Sequence, residues 1–259
     1  MFKNIIMGIL VALLVVALGT AAFNVIGVSA ANDTTVPAAG FGVGNNGQGG
    51  PGVTPGNGNR TGINVLTLPS SELSSDEAAA LLFMREEEKL ARDVYNALYV
   101  TWQLPIYQNI AASEQTHMDQ IGLLLTRYNL TDPARAAGVF TNANLQALYT
   151  KLIAQGNLSI GDALKVGGAI EEIDIKDLQT RLTQTDNADI QQVYNSLMNG
   201  SFNHLNAFVR NLSSQTGESY VPQYLTVEQY QMIISSGMGN GTGRPDWAGN
   251  GNAKGNGRQ

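Results

Sequence analysis

Cysteine is absent from the 259-residue chain, and histidine occurs only twice. The first absence excludes disulfides, thiolate metal sites, a cysteine nucleophile and a lipidated N-terminal cysteine. Any bound metal would have to be held by carboxylate, imidazole or hydroxyl groups. Basic residues are also outnumbered: 15 Lys and Arg against 21 Asp and Glu leave a net charge of −6. With no basic stripe, a nucleic-acid partner has no electrostatic support. Strand-like alternation is nowhere long enough to compete with helical periodicity. No nucleophile-elbow motif accompanies the two histidines, which disfavours a classical hydrolase.

Long apolar sequence is confined to the N-terminus. Lys3 precedes the almost wholly apolar Ile5–Ala22, and Val28-Ser29-Ala30 resembles a small-residue cleavage site. Residues 1–30 therefore read as an export signal or, because the run approaches bilayer length, as an uncleaved membrane anchor. The small-residue site favours cleavage. Either reading puts the rest of the chain outside the cytoplasm, with membrane contact only through this segment. Residues 31–64 and 237–259 are rich in Gly and Asn. They hold too few apolar side chains to offset the entropy of ordering, and read as a flexible linker and tail. The glycines of Gly40–Gly58 follow no strand and open no helix, so they are not a phosphate loop. Residues 65–236 have the Ala, Leu, Ile and Tyr content of a single domain with a real core.

Within that domain the pattern is helical throughout. Ser74-Ser75-Asp76-Glu77 is a capping box opening a helix to about Thr101, with Leu81, Met84, Glu88, Ala91, Tyr95 and Leu98 on one stripe. Leu104-Pro105 breaks the pattern and Pro105 opens a second helix. Its stripe is Ile106, Ile110, Glu114, His117, Ile121, Leu124 and Tyr128, ended by Asn129 and Asp132-Pro133. A connection follows with a short helix from about Asn142 to Gln155. Ser159 and Asp162 cap a third long helix, to about Thr183, with Leu164, Gly168, Glu171, Ile175, Leu178 and Leu182 in line. After Asp186-Asn187 a fourth reaches Leu212 and turns Ile190, Tyr194, Leu197, Ser201, His204 and Phe208 inward. A short helix over Val227–Ser235, opened by a Thr226/Gln229 capping box, should pack across one end. The expected fold is all-α: a four-helix bundle of two antiparallel hairpins joined by a long crossover with a short helix, plus a short C-terminal helix. A looser all-helical array is the alternative.

Desolvating an unpaired carboxylate costs more than one helix can offset, so charged groups are rare on buried stripes. Here Glu88, Glu114, His117, Glu171 and His204 all occupy them. In an antiparallel hairpin, residues equally far from the turn share a level. Midway between Glu88 and the pair Glu114/His117 lies Thr101–Trp102, beside the Leu104-Pro105 break. Midway between Glu171 and the pair Ser201/His204 lies Asp186–Asn187, the expected turn. Both hairpins thus bring their polar residues to one height. Three carboxylates and two imidazoles in an apolar interior suit iron, manganese or zinc. The competing reading is a buried hydrogen-bond network without metal. Glu86, Glu87 and Glu172 read as ordinary solvated charges, while Asp174 is ambiguous, one turn beyond Glu171. Tyr95 is either a core aromatic with a satisfied hydroxyl or a neighbour of bound oxygen.

These residues carry a resemblance. The run Glu86-Glu87-Glu88-Lys89-Leu90-Ala91-Arg92-Asp93-Val94-Tyr95 and the run Asn109–Met118 around Glu114-Gln115-Thr116-His117 resemble the ferritin-like superfamily, which includes rubrerythrins and bacterioferritins. So do Ala163–Gly167, Glu171–Leu178 and Asn203-His204-Leu205, over roughly Leu73–Leu212. Full sites in that superfamily carry one Glu on each of two helices and Glu-x-x-His on each of the other two. The resemblance implies that Glu88 and Glu171 are the single glutamates and Glu114/His117 the first Glu-x-x-His. The last motif reads Ser201-Phe202-Asn203-His204, so one bridging carboxylate is missing. Three carboxylates leave two divalent ions with excess charge, which hydroxide, Asp174, Glu172 or an external anion would have to balance. Two functions are therefore expected. One is an exported domain binding one or two transition metals, iron first, with redox chemistry on dioxygen or peroxide if it is an enzyme. The other is a non-enzymatic extracytoplasmic module whose Glu/His cluster only fixes helix register.

Overall fold

Periodicity, caps and breaks in the domain resolve into six α-helices in the computed structural model, which describes residues 67–237 and contains no strand among them. They are α1 (Ser75–Trp102), α2 (Pro105–Arg127), α3 (Ala143–Gly156), α4 (Ile160–Leu182), α5 (Ala188–Thr216) and α6 (Val227–Gly237). The apolar N-terminal segment, the linker and the tail beyond Gly237 lie outside the described residues. Among the described residues no helix is long and apolar enough to cross a membrane.

Local chemistry accounts for the helix ends. Ser74 Oγ accepts the Glu77 N–H at 3.2 Å while Glu77 Oε2 accepts the Ser74 N–H at 2.9 Å, a reciprocal capping box. Gln103 closes α1 in the left-handed region (φ 54), and Pro105 starts α2 at a position where its missing N–H costs nothing. Asn129, a residue that tolerates the left-handed conformation, follows α2 at φ 54. Ser159 caps α4 by accepting the Asp162 N–H at 3.0 Å. Helix α5 runs one turn beyond the expected Leu212. Its last residues, Ser213-Ser214-Gln215-Thr216, are polar and extend no stripe, but Gly217 (φ 75) supplies the C-cap.

The apolar stripes pack α1 against α2 and α4 against α5, and the two hairpins face each other through α1–α4 and α2–α5 contacts. Contacts along the chain fix the directions. Glu77 meets Thr185 at 2.5 Å and Tyr95 meets Glu171 at 2.5 Å, so α1 and α4 run antiparallel. Ser113 meets His204 at 2.9 Å and Tyr128 meets Asp189 at 2.9 Å, so α2 and α5 also run antiparallel. Helices α2 and α4 are then parallel, and the chain between them must return along the whole length of a hairpin. Residues 128–159 do this over the outer face of α1. Arg85 pairs with Asp132 at 2.7 Å near one end, and Trp102 Nε1 donates to Gly156 O at 2.8 Å at the other. The capping box at Thr226/Gln229 forms as expected, at 3.1 and 3.2 Å. Helix α6 does not cross an end, however. It packs on α5, where Asn206 Nδ2 donates to Ile233 O at 3.3 Å.

Three acids expected in solvent are buried: Glu86 is 3 %, Glu87 4 % and Glu172 0 % exposed. The stripe pattern registers only the face turned to the hairpin partner, not the third layer that covers Glu86 and Glu172 or the α4 contact that covers Glu87. Glu86 accepts backbone N–H groups of Thr141 and Asn142 where the crossover enters α3. Beside it the buried Lys89 pairs with Asp93 at 2.6 Å and lies 4.1 Å over the Phe140 ring. Glu172 is a docking point for the segment after α5. Its carboxylate accepts the Tyr220 hydroxyl at 2.6 Å and the N–H groups of Gln223, Tyr224 and Leu225 at 2.9, 2.6 and 2.8 Å.

Replacing Glu172 with Ala strips acceptors from three backbone donors and should cost about 2 kcal/mol or more in chemical denaturation. Within residues 67–237, the segment 218–237 should then be the first cut in limited proteolysis, while Glu172→Gln, which keeps one acceptor oxygen, should lose less.

Candidate metal centre

The five stripe residues meet. Glu88 comes from α1, Glu114 and His117 from α2, Glu171 from α4 and His204 from α5, and none is more than 8 % exposed. They form two clusters, Glu88/Glu114/His117 and Glu114/Glu171/His204, each with its ligand-type atoms within 4.8 Å of one another. Either cluster could hold a metal ion. Glu114 belongs to both. Its Oε2 lies 2.8 Å from His117 Nδ1 and its Oε1 lies 2.8 Å from His204 Nδ1. His117 Nδ1 also reaches Glu88 Oε2 at 3.1 Å, and His204 Nδ1 lies 3.4 Å from Glu171 Oε2. The imidazoles are stacked, with centroids 5.5 Å apart and 29° between planes.

Closeness here is not the same as hydrogen bonding. His204 Nδ1 and Glu114 Oε1 are 2.8 Å apart, yet neither is aligned for a hydrogen bond with any partner. Glu88 Oε1 is buried and unpartnered as well. Each buried polar atom left in this state costs about 1–3 kcal/mol.

Neighbouring residues hold these groups in position. Tyr95 Oη donates to Glu171 Oε1 at 2.5 Å, so the tyrosine hydroxyl is satisfied and orients that carboxylate. Ser113 Oγ lies 2.9 Å from His204 Nε2 and fixes the ring from the side away from the carboxylates. Gly200 makes room for His117: a Cβ there would lie 2.4 Å from Nε2. The sequence reading passed over both residues. An isolated glycine inside a helix, costing about 1 kcal/mol relative to Ala, was the available signal for Gly200. Ser113 carries no such signal. Asp174, ambiguous from sequence, is 6 % exposed; its Oδ2 accepts the Ser201 hydroxyl and its Oδ1 is buried without a partner. Glu87 faces the α4 acid Asp177 rather than solvent, with both its oxygens unpartnered.

Burial and mutual charge shift the titration of the groups in the cluster. Burial opposes ionisation of Glu114, but His117 and His204 outweigh it and hold the carboxyl well below its ordinary range. Burial likewise opposes protonation of His204, yet Glu171 and Glu114 push it up to about 10. His117 is raised well above its usual value against burial by Glu114 and Glu88. Burial raises Glu88 strongly, with Asp174 adding to it. Burial also pushes Asp174 up to about 8, with Glu171 and Glu114 assisting and the Ser201 bond opposing.

Fold and site together define a class: an all-α protein of two facing helical hairpins with a carboxylate–imidazole cluster sealed between them. Residues 77–237 match the family described as the uncharacterized protein domain DUF2202, and the chain belongs to that family. It is 50% identical over 182 residues to the uncharacterized protein MJ0754 of Methanocaldococcus jannaschii, across 70% of this chain and 98% of that protein. The crystal structure of hypothetical protein MJ0754 from Methanococcus jannaschii DSM 2661 is similar with a TM-score of 0.64 at 51% identity. That match covers 65% of this chain and 97% of the other.

The shifts set the pH response of chelator-treated protein. His204 binds its proton more tightly when folded, so its contribution is complete below the ordinary 6.5 and is lost as pH rises to about 10. Asp174, raised from 3.8 to about 8, acts in the same direction over a lower window. Glu114 acts oppositely, stabilising above its ordinary 4.5 and losing that as pH falls. Calorimetric melting temperatures should therefore fall between pH 6.5 and 10, and a flat or rising profile would contradict the arrangement.

Proposed function

We propose that this chain is an exported ferritin-like protein that binds one or two transition-metal ions between its hairpins, iron first, with manganese or zinc as alternatives. The observation that carries the reading is Glu114, whose two oxygens each face a different imidazole, joining two clusters of ligand-type atoms within 4.8 Å. The ferritin-like assignment is supported by the helix directions: α1 antiparallel to α4, α2 antiparallel to α5, and a long crossover between them. Export is supported by the apolar segment and small-residue site of residues 1–30.

The donor set fits such an ion. It is built from carboxylate oxygens and imidazole nitrogens without sulfur, buried among apolar side chains, with unpartnered atoms on Glu88, Glu114 and His204. Glu88 with His117, and Glu171 with His204, would be terminal ligands, and Glu114 would be shared between two positions. Tyr95 and Ser113 would hold Glu171 and His204 in register, the outer-shell role such groups play at metal sites. The surrounding Tyr95, Tyr107 and Phe208 rings, none exposed, keep bulk water out. A redox-active ion held there would supply one-electron chemistry toward dioxygen or peroxide, the oxidoreductase extension of this reading. The chain's own part is to bind, to exclude water and to take up the protons that the imidazoles and Glu88 release or accept.

A second reading, a structural polar network, is favoured by one contact: His117 Nδ1 and Glu88 Oε2 at 3.1 Å do meet hydrogen-bond geometry. One experiment separates the two. Protein stripped with chelator, loaded anaerobically with ferrous iron and desalted should retain at least about one iron per chain by elemental analysis, the number its ligand clusters allow. Replacing both His117 and His204 with Ala should abolish retention while helicity survives. Failure of the unaltered protein to keep iron, manganese or zinc would refute metal binding, and destabilisation without any metal phenotype would favour the network.

A further inference from the structure

Each hairpin presents a comparable set. In the first, Glu88 faces Glu114-x-x-His117; in the second, Glu171 faces Ser201-x-x-His204, and the carboxylate that would match Glu114 is replaced by a hydroxyl. Ser201 is 1 % exposed, so the shorter side chain has not opened a water-filled gap. The space belongs to Asp174, which comes from α4 one turn beyond Glu171. Its Oδ2 accepts the Ser201 hydroxyl, and its Oδ1 is buried with no partner.

We infer that Asp174 supplies, from α4, the fourth carboxylate that α5 lacks, that Ser201 anchors it, and that this charge lets the centre hold a second divalent ion. This rests on the metal-binding reading above and specifies its capacity. Asp174 lies outside the two tight clusters, so its first contribution is charge. Glu88, Glu114, Glu171 and Asp174 together match the four positive charges of two divalent ions, whereas the first three do not. Packing alone gives no reason for an acid here, because an Asn amide oxygen could accept the same Ser201 hydrogen bond. An acid among three other buried acids is unfavourable unless a cation joins them. Glu86 and Glu172 are satisfied by backbone donors, and Glu87, which is not, faces the acid Asp177 rather than the histidine cluster. Asp174 has one hydroxyl and an open oxygen.

The test uses the full chain, stripped with chelator, with zinc(II) as probe. Stoichiometry comes from elemental analysis after desalting, affinity from titration, and stability from thermal melting. The unaltered protein should bind two ions. Asp174→Asn should bind one, and its metal-free form should melt higher than the unaltered protein because the cost of burying an ionisable acid is gone. Ser201→Ala should weaken the second ion by about tenfold or more, the usual effect of removing a group that orients a ligand. Moving the carboxylate back to α5, in the double variant Asp174→Ser with Ser201→Glu, should restore two ions, and it decides the matter should Asp174→Asn fail to fold. Two ions retained in Asp174→Asn, or a single ion in the unaltered protein, overturns this inference and leaves metal binding standing. No bound ion in the unaltered protein overturns both.

Discussion

One carboxylate shared by two imidazoles is the constraint on which the interior depends. Glu114 sits on α2, yet its oxygens address His117 on its own helix and His204 on α5, 2.8 Å away in each case. That contact cannot form unless the two hairpins dock at a single height and rotation. A slip of one residue along α5 would turn His204 by about 100° away from the seam, given 3.6 residues per turn. The residues around Glu114 are arranged accordingly. Gly200 leaves the space His117 needs, Ser113 steadies His204, and Tyr95 holds Glu171 from across the hairpin boundary. The apolar core supplies the driving force for docking, but it is indifferent to small slips; the polar atoms are not.

The protein treats its buried acids in two distinct ways. Away from the histidines, Glu77, Glu86 and Glu172 accept hydrogen bonds from hydroxyl, amide or backbone donors and tie the α4–α5 turn, the crossover and the C-terminal segment to the hairpins. On the inner faces, Glu88 and Asp174 each keep one oxygen without a hydrogen-bond partner and Glu87 keeps two, while Glu114 Oε1 lies 2.8 Å from His204 Nδ1. The chain therefore has the means to satisfy a buried carboxylate, and uses it where the role is architectural. Buried oxygens without a partner also occur on Glu87, Asp177, Tyr107 and Tyr194, so what sets the site apart is that Glu88 and Glu114 share their clusters with two imidazoles.

Much of this was legible in the sequence, for identifiable reasons. The helices follow from caps and periodicity: Ser74/Glu77, Pro105 and Ser159 mark starts, and the stripes through Leu81–Leu98 and Ile190–Phe208 mark buried faces. Counting residues from each turn placed five polar side chains at one height because antiparallel helices conserve distance from the turn. What was not legible depends on a third layer or on a single neighbour. Glu86 and Glu172 look like surface charges because helical periodicity describes the hairpin seam, not the crossover that covers the opposite face. Gly200 and Ser113 act on histidines from other helices, and no local pattern announces which ring a residue will meet.

The polar interior is internally opposed, and that opposition is informative. Four acids and two imidazoles at one level cannot all take their ordinary charge states out of water. Burial and neighbouring charge push Glu88 up, and the carboxylates push His117 and His204 up, while the two imidazoles hold Glu114 down. A fold selected only for stability has a simpler solution, since apolar side chains of similar volume pack without such compensation and are often at least as stable. Protons held under this constraint occupy the positions that a cation of higher charge would claim, and a divalent ion entering would release them while removing the repulsion between the acids. On the proposed metal-binding reading, the groups that limit stability as pH rises are the ones whose repulsion a bound ion would relieve. Instability toward high pH and affinity for a cation would then be two consequences of one arrangement of charge.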